Sequence, residues 1–363
     1  MSAATHRASL TAESARLASR VADAARVAEA RLEVAVADIF LSQPGRLDDR
    51  TRAATLRLAE ATVCAIEQRI AGETARDLTM ADRHEAAVIL DTNRSLAWPR
   101  LLEAGLMRDA DVIGELIAQA RVDLLDESLA AMRAPDAAPT LVATLVERGA
   151  PAQRVAAVAY LVADGTRRGG ASGRRAMLSA TLHARIAWWV AAALREQLGA
   201  TAGPVGDRAL ADATHRCIAD HADDGGAVDP AAAALVRALA PSPAERAELM
   251  VRALDGARVA LFVALLADAV SIEANDARAL VLDSASDGLW LALRAAGLPH
   301  DALARAGFLL CEADRERDLS LLIETLDTLA ALDPAVAAAA VAGLRLPRDF
   351  REAARALARC PPA

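Results

Sequence analysis

One stretch of the sequence carries the residue types that bind transition metals, namely His215, Cys217 and His221. Neutral imidazole and thiolate are common zinc ligands. On a helix, Cys217 and His221 are four residues apart and share a face, whereas His215 lies six residues before His221 and points about 240° away from it. Because three ligands cannot converge from this helix alone, we predict no metal and no cofactor. An enzyme site near these three residues, completed from distant helices, remains one alternative.

Four arginines surround a glycine-rich stretch at residues 165–180: Arg167, Arg168, Arg174 and Arg175. Guanidinium groups bind phosphate well, and a glycine backbone can wrap around an anion. No aromatic residue lies among them for stacking on bases, which weakens an interpretation as a single-strand nucleic-acid site. We therefore predict a solvated linker, and we keep these arginines as possible interaction residues.

Trp188 and Trp189 lie next to each other in an apolar run, so on a helix they point about 100° apart. Trp189 falls on the buried stripe that Leu182 and Ile186 begin, and we expect it in the core. Trp188 falls off the centre of that stripe. Tryptophan is enriched at binding hot spots, so Trp188 is a candidate anchor for a partner protein, the alternative being packing against a neighbouring helix.

Several kinds of chemistry are excluded by composition. The sequence contains no lysine, so all 41 residues counted as lysine plus arginine are arginine. A Schiff-base enzyme and a Walker A phosphate loop both need a lysine, and the nucleophile motif Gly-x-Ser-x-Gly is also missing from the sequence. We predict that the protein is not an enzyme. The net charge of −8 makes nucleic-acid binding unlikely, because that affinity comes mainly from neutralising phosphates.

The cysteines and the apolar runs predict the cellular location of the protein. The four cysteines are far apart, which predicts free thiols and not a disulfide framework. The N-terminus lacks the basic and apolar regions of a signal peptide, and no apolar run reaches the roughly 20 residues that span a bilayer. We expect a cytoplasmic protein without membrane insertion.

The elements that must position these residues are helices. Apolar residues recur at steps of three and four, as in Leu56, Ala59, Val63, Ile66 and Ile70. Ser242-Pro243-Ala244-Glu245 is a capping box with proline at the first helical position. Strand patterns are missing from the sequence, so we predict an all-α fold. The predicted helices cover residues 11–41, 49–71, 76–92, 96–106, 109–132, 138–148, 152–164, 181–198, 207–222, 230–240, 243–254, 257–269, 275–284, 287–296, 300–312, 317–331, 334–344 and 347–359.

Short helices joined by brief loops must stack to bury their apolar stripes. We therefore predict an array of stacked antiparallel helical hairpins with HEAT-like, α-solenoid character. The glycine-rich stretch suggests a division into an N-terminal helical domain at 1–164, a Gly/Arg-rich linker at 165–180 and a C-terminal helical-repeat domain at 181–363.

Three runs of residues form a recognisable set: Leu182 to Leu194, Leu291 to Pro299, and Leu101 to Leu106 with the acidic helix start at Asp109 to Asp111. In these runs the chain resembles the DUF2336 proteins of alphaproteobacteria, particularly the sphingomonad branch. The resemblance runs over most of the chain and implies an all-helical, HEAT-like array. It implies no activity and no functional residues.

We therefore predict a non-enzymatic protein–protein interaction or regulatory scaffold protein, whose partner is another protein docked on the helical surface. Two alternatives are kept: a helical-repeat protein that binds nucleic acid through segregated arginines, and the enzyme with a site near His215, Cys217 and His221.

Overall fold

A computed structural model describes residues 47–90, 95–169, 175–223, 228–284 and 287–359. Within these ranges the chain forms 17 α-helices and no strand, so the predicted all-α fold is confirmed. In chain order the helices are α1 (Asp49–Met80), α2 (His84–Leu90), α3 (Ala97–Glu103), α4 (Ala110–Met132), α5 (Leu141–Arg148), α6 (Pro151–Gly169), α7 (Ala180–Leu198), α8 (Gly203–Asp223), α9 (Val228–Leu239), α10 (Pro243–Asp255), α11 (Val259–Val270), α12 (Ala274–Leu282), α13 (Gly288–Ala295), α14 (His300–Ala313), α15 (Leu319–Ala331), α16 (Pro334–Val341) and α17 (Arg348–Arg359).

Local capping sets many of these boundaries. Ser242 caps α10, and its backbone N–H donates to the Glu245 carboxylate at 2.9 Å, as the capping box predicts. Asp333 caps α16 just before a proline. The buried carboxylate of Glu67 on α1 accepts the backbone N–H groups of Leu96 and Ala97, and so caps α3 from a distance.

One predicted break between helices needs correction. The predicted break at residues 72–75 does not exist, because α1 continues to Met80. Ile70 and Leu78 on either side of this stretch are fully buried, and a single Gly72 costs a helix only about 1 kcal/mol. The predicted helix at 11–41 lies outside the described residues.

The buried apolar residues form two clusters. The N-terminal core contains residues of α1 to α3, the first half of α4, α7 and α8. The C-terminal core contains residues of the second half of α4, α5, α6 and α9 to α16. Helix α4 spans both cores, with Leu116 in the first and Leu125 in the second. Helix α11 is buried along almost its whole length and forms the centre of the C-terminal core.

The predicted division at residues 165–180 does not separate these cores. Helices α5 and α6, from the predicted N-terminal domain, pack in the C-terminal core, whereas α7 and α8, from the predicted C-terminal domain, pack in the N-terminal core. Asp49–Ala363 accordingly forms one compact unit.

Candidate functional site

The hairpin of α7 and α8 presents one large aromatic side chain to solvent. Helix α7 begins after Ser179, whose hydroxyl accepts the Leu182 N–H, and ends at Gly199. Gly199 has a positive φ of 52°, which favours glycine and turns the chain toward α8. Ile186 lies in the N-terminal core with the rest of the buried face, while Trp188 remains 42% exposed. The sequence left exposure and packing against a neighbouring helix as alternatives for Trp188, and the structure shows a partly exposed ring.

Trp188 packs edge-on against His215 of α8. The two ring centroids are 5.1 Å apart and the ring planes are at 82°, an arrangement that aromatic rings favour. The residues four positions before and after each ring are small. They are Ala184 and Ala192 on α7, and Ala211 and Ala219 on α8, and none of the four is fully buried. We call Trp188, His215 and these four alanines the Trp188 surface.

Ion pairs stand around the Trp188 surface. Arg185, one turn before Trp188, bonds the Asp109 carboxylate at 2.8 Å and thereby ties α7 to the N-cap of α4. Arg216, next to His215, bonds Glu73 and Asp77 of α1, both at 2.7 Å. These ion pairs neutralise the charges at the edge of the Trp188 surface. They also hold α7 against the start of α4 and α8 against α1. The result is an aromatic centre with a polar rim, which is the anatomy of a protein-binding hot spot.

The candidate metal ligands do not converge. His215 contacts Trp188, whereas the Nε2 atom of His221 lies 2.8 Å from the Leu178 carbonyl oxygen. Cys217 is 1% exposed, and its burial raises the pKa of the thiol. Over the described part of the chain, no three histidine, cysteine or acidic side chains are grouped to share a metal ion. Among the described residues, these three side chains therefore do not form a metal site, and the Cys217 thiol is not activated as a thiolate.

His221 instead forms a stacked pair with His183. The ring centroids are 3.8 Å apart and the planes are within 8° of parallel. His183 is 8% exposed, and its burial, aided by His221 and Arg69, lowers the pKa of its imidazole from 6.5 to about 4. The Nδ1 atom of His183 has no hydrogen-bond partner among the described residues. This pair joins α7 to α8 and is stable only while His183 is neutral.

The interpretation of Arg167 and Arg168 as linker residues is wrong. Helix α6 continues to Gly169, so both arginines are helical and not part of a solvated linker. Arg167 is 8% exposed and bonds the Asp126 carboxylate of α4 at 2.8 Å. Arg168 bonds the same carboxylate at 2.9 Å. The continuation of α6 to Gly169 is favoured because it brings these guanidinium groups to buried carboxylates, which require a cationic partner.

These contacts belong to a buried charge cluster. It comprises three arginines and three aspartates: Arg167, Arg168, Arg258, Asp123, Asp126 and Asp164. Asp126 also accepts the Val259 N–H at 2.8 Å and thereby caps α11. Burial raises the pKa of Asp126 to about 7, and the Arg168 guanidinium opposes that rise. The cluster joins α4, α6 and α11 and pairs each guanidinium group with a buried carboxyl group, so its role is to hold these helices together.

The other two predicted arginines are placed differently. Arg175 is exposed, in the extended stretch that leads to α7. Arg174 lies outside the described residues. The four predicted arginines therefore do not make one anion site in the described structure.

A cavity of about 670 Å³ lies between α4, the start of α7, and helices α9, α11 and α12. Its wall is mixed, with Val122, Val263 and Leu282 beside charged groups. The Glu115 carboxylate on this wall bonds Arg278 at 2.6 and 2.9 Å and also accepts from Gln119 at 2.7 Å. These polar groups bind one another, so the cavity is a crevice braced by ion pairs between the two cores.

No single described helix has the length and apolar character to cross a membrane. One pair of helical segments is long and apolar enough only when the two are counted together, and they are bent by 111° relative to each other. The pair is Leu319–Ala331 with Pro334–Arg345.

Comparison with known proteins gives one match. Residues 162–342 match the family model DUF2336, described as an uncharacterised protein conserved in bacteria. The matched region contains α7 and α8 and therefore the whole Trp188 surface. No curated protein and no solved structure matches the chain.

Proposed function

The chain belongs to the DUF2336 family of bacteria through residues 162–342, and we propose that it is a non-enzymatic protein–protein interaction or regulatory scaffold protein. Its partner is another protein, which docks on the Trp188 surface. The protein acts in the cytoplasm. The observation that carries the proposal is the 42% exposure of Trp188 in edge contact with His215.

The energetics favour this surface as an anchor. Because Trp188 is 42% exposed, a partner can cover roughly 100 Å² of its surface, and truncation of such an anchor commonly costs a complex about 2 kcal/mol or more. Trp188 is held by an aromatic neighbour on a rigid hairpin, so a partner loses little entropy in ordering it. The surrounding alanines leave room for a partner side chain or helix to approach.

The way neighbouring helices pack supports a proposal about the architecture. We propose that the helices form an array of antiparallel hairpins with HEAT-like, α-solenoid character. Hairpins such as α7–α8, whose helices pack on each other across a short connection, are the unit of such arrays. An array of this kind offers broad surfaces and needs no enclosed site, which agrees with a docking function.

The two alternatives have less support. Arg167 and Arg168, two of the arginines best placed by sequence for an anion, are already bound to carboxylates. The phosphates of a nucleic acid would have to displace those carboxylates. For an enzyme, Cys217 is buried with a raised thiol pKa, and His215 and His221 have separate partners.

The proposal is tested by quantitative co-purification from the native bacterium, with mass spectrometry of the bound proteins. Wild type is compared with Trp188→Ala and with the control Phe308→Ala, which removes an aromatic ring of similar exposure, 43%, from α14. We expect a specific partner that is retained by the Phe308 variant and reduced at least tenfold by the Trp188 variant. Equal retention by both variants, or no specific partner for the wild type, contradicts the proposal.

A further inference from the structure

Helix α6 exposes an apolar face that no part of the described structure covers. Val155, Val158 and Val162 are 71%, 45% and 64% exposed. They follow one another at steps of three and four, so they form one stripe. The opposite face of α6, with Ala157 and Tyr160, is buried in the C-terminal core.

The stripe is free of charge over its whole width. At 100° per residue, all the residues in an arc of about 140° around Val162 are apolar or small and neutral. They are Pro151, Ala152, Val155, Val158, Ala159, Val162, Gly165, Thr166 and Gly169. Over 19 residues the stripe is about 27 Å long. Solvent-facing helix positions normally carry polar residues, so an apolar face of this length indicates a binding surface.

Cations stand at one end of the stripe. Arg154 borders it in the first turn of α6, and Arg148 closes the preceding helix α5. Both are exposed, and no carboxylate of the described residues pairs with either guanidinium. Glu147 is the one exposed acidic residue of α5 and α6, so the border carries an excess of positive charge, unlike the chain as a whole.

We propose that this stripe binds an amphipathic α-helix of another protein, whose apolar face is bordered by carboxylates at the end that meets Arg148 and Arg154. Valine, alanine and glycine leave a smooth surface onto which the larger side chains of a partner helix can pack. The carboxylates of the partner helix form ion pairs with the guanidinium groups of Arg148 and Arg154.

A second copy of this chain fits less well. In an antiparallel pair of α6 helices centred on residue 160, Arg154 of one copy faces the region of Thr166 of the other. The stripe has no carboxylate to offer there. The surface differs from the Trp188 surface in both helix and residues, so the two proposals can fail separately.

The test uses the full purified chain and two synthetic 19-residue amphipathic helices. Both peptides carry leucines at steps of three and four, and their apolar faces are bordered by glutamates in one and by arginines in the other. Fluorescence anisotropy measures their affinity for wild type, Val158→Asp, Arg154→Glu and the control Val88→Asp. Val88 is 70% exposed on α2 beside His84 and Glu85, and so lacks an apolar surround.

We expect the glutamate peptide to bind wild type and the Val88 variant equally well. The Val158 variant should bind it about tenfold more weakly, equivalent to about 1.4 kcal/mol. The Arg154 variant should lose the preference for glutamate over arginine, and Trp188→Ala should leave the affinity unchanged, so that failure here is distinct from failure of the proposed function. Circular dichroism checks that every variant is folded.

Three results overturn the proposal. The first is no binding of the glutamate peptide, or binding that Val158→Asp does not weaken. The second is a wild-type dimer in sedimentation that Val158→Asp dissociates, which assigns the stripe to a second copy. The third is binding of wild type to phosphatidylglycerol vesicles that the same variant abolishes, which assigns the stripe to a lipid surface.

Discussion

Replacing His183 with phenylalanine is expected to remove a large part of the acid sensitivity of the fold. Phenylalanine keeps a flat ring against His221 but cannot take up a proton. In the wild type, the folded-state pKa of His183 is about 4, against an ordinary value of 6.5, because its ring is buried beside His221 and Arg69. Two positively charged imidazoles stacked at 3.8 Å in a buried site would repel each other strongly.

The sign follows from proton uptake. As the pH falls below 6.5, the unfolded chain binds a proton at His183 that the folded chain excludes until about pH 4. The stability contributed by neutral His183 is therefore complete above pH 6.5 and is lost as the pH falls toward 4. The full loss is about 3 kcal/mol, of which about 2 kcal/mol has occurred by pH 5.

The assay is urea unfolding followed by circular dichroism at pH 7.5, 6.5, 5.5 and 5.0. The difference in free energy of unfolding between wild type and His183→Phe should shift by about 2 kcal/mol in favour of the variant between pH 7.5 and 5.0. His84→Phe is the control, because His84 is exposed on α2. Parallel pH profiles for wild type and the His183 variant, or an equal shift in the His84 variant, refute the reasoning.

Three further outcomes are expected. Asp126→Ala should lower the free energy of unfolding by about 3–5 kcal/mol in urea, because it removes from the buried cluster one of the carboxylates that face Arg167 and Arg168, together with the cap on the Val259 N–H; a loss below about 1 kcal/mol contradicts the buried cluster. Phe262→Ala should cost about 3–5 kcal/mol in the same assay, because Phe262 is fully buried in α11, whereas Val336→Ala, at 57% exposure, should stay within about 0.5 kcal/mol; similar losses argue against the C-terminal core. In native protein, iodoacetamide should modify Cys64 before Cys217 by peptide mapping, because Cys217 is buried with a raised thiol pKa, and the reverse order contradicts that burial.

Helix positions were predictable because the information is local. The spacing of Leu, Ile and Val shows which face is buried, and capping residues such as Ser242 and Asp333 mark where helices begin. The position of Trp188 off the buried stripe was predictable for the same reason, whereas its exposure also depends on how the neighbouring helix packs. Errors arose where a local signal was weak, as at Gly72, where burial of the flanking Ile70 and Leu78 keeps α1 continuous.

The charge cluster was not predictable from local pattern. Arg167 and Asp126 are separated by 41 residues, and Asp126 and the Val259 N–H by 133. Arginines beside glycines in sequence look solvated, and only the folded structure shows that Arg167 is buried and that both arginines bond a carboxylate of α4. One signal was present: Asp126 interrupts the apolar stripe of Val122, Leu125 and Leu129, and a charge inside such a stripe needs a buried partner.

The sequence of α6 contains a signal for the exposed stripe, namely two apolar faces on one helix, but this signal is easily read as an ordinary core stripe. Valines at 155, 158 and 162 look like any core stripe, so the sequence predicts a helix without showing which face is covered. Tyr160 and Ala157 form a second apolar face, and only one of the two can be buried against the C-terminal core. A helix that is apolar on both faces indicates either full burial or a partner, and the exposure of Val155 points to a partner.

The most direct test of the central claim is hydrogen–deuterium exchange of this chain alone and in complex with its co-purified partner. The account predicts slower exchange in the complex along α7 and α8, centred on Trp188 and His215, and loss of that protection with Trp188→Ala. A complex that leaves α7 and α8 unchanged, or one that protects the residues lining the cavity beside Glu115 and Arg278 instead, would contradict it.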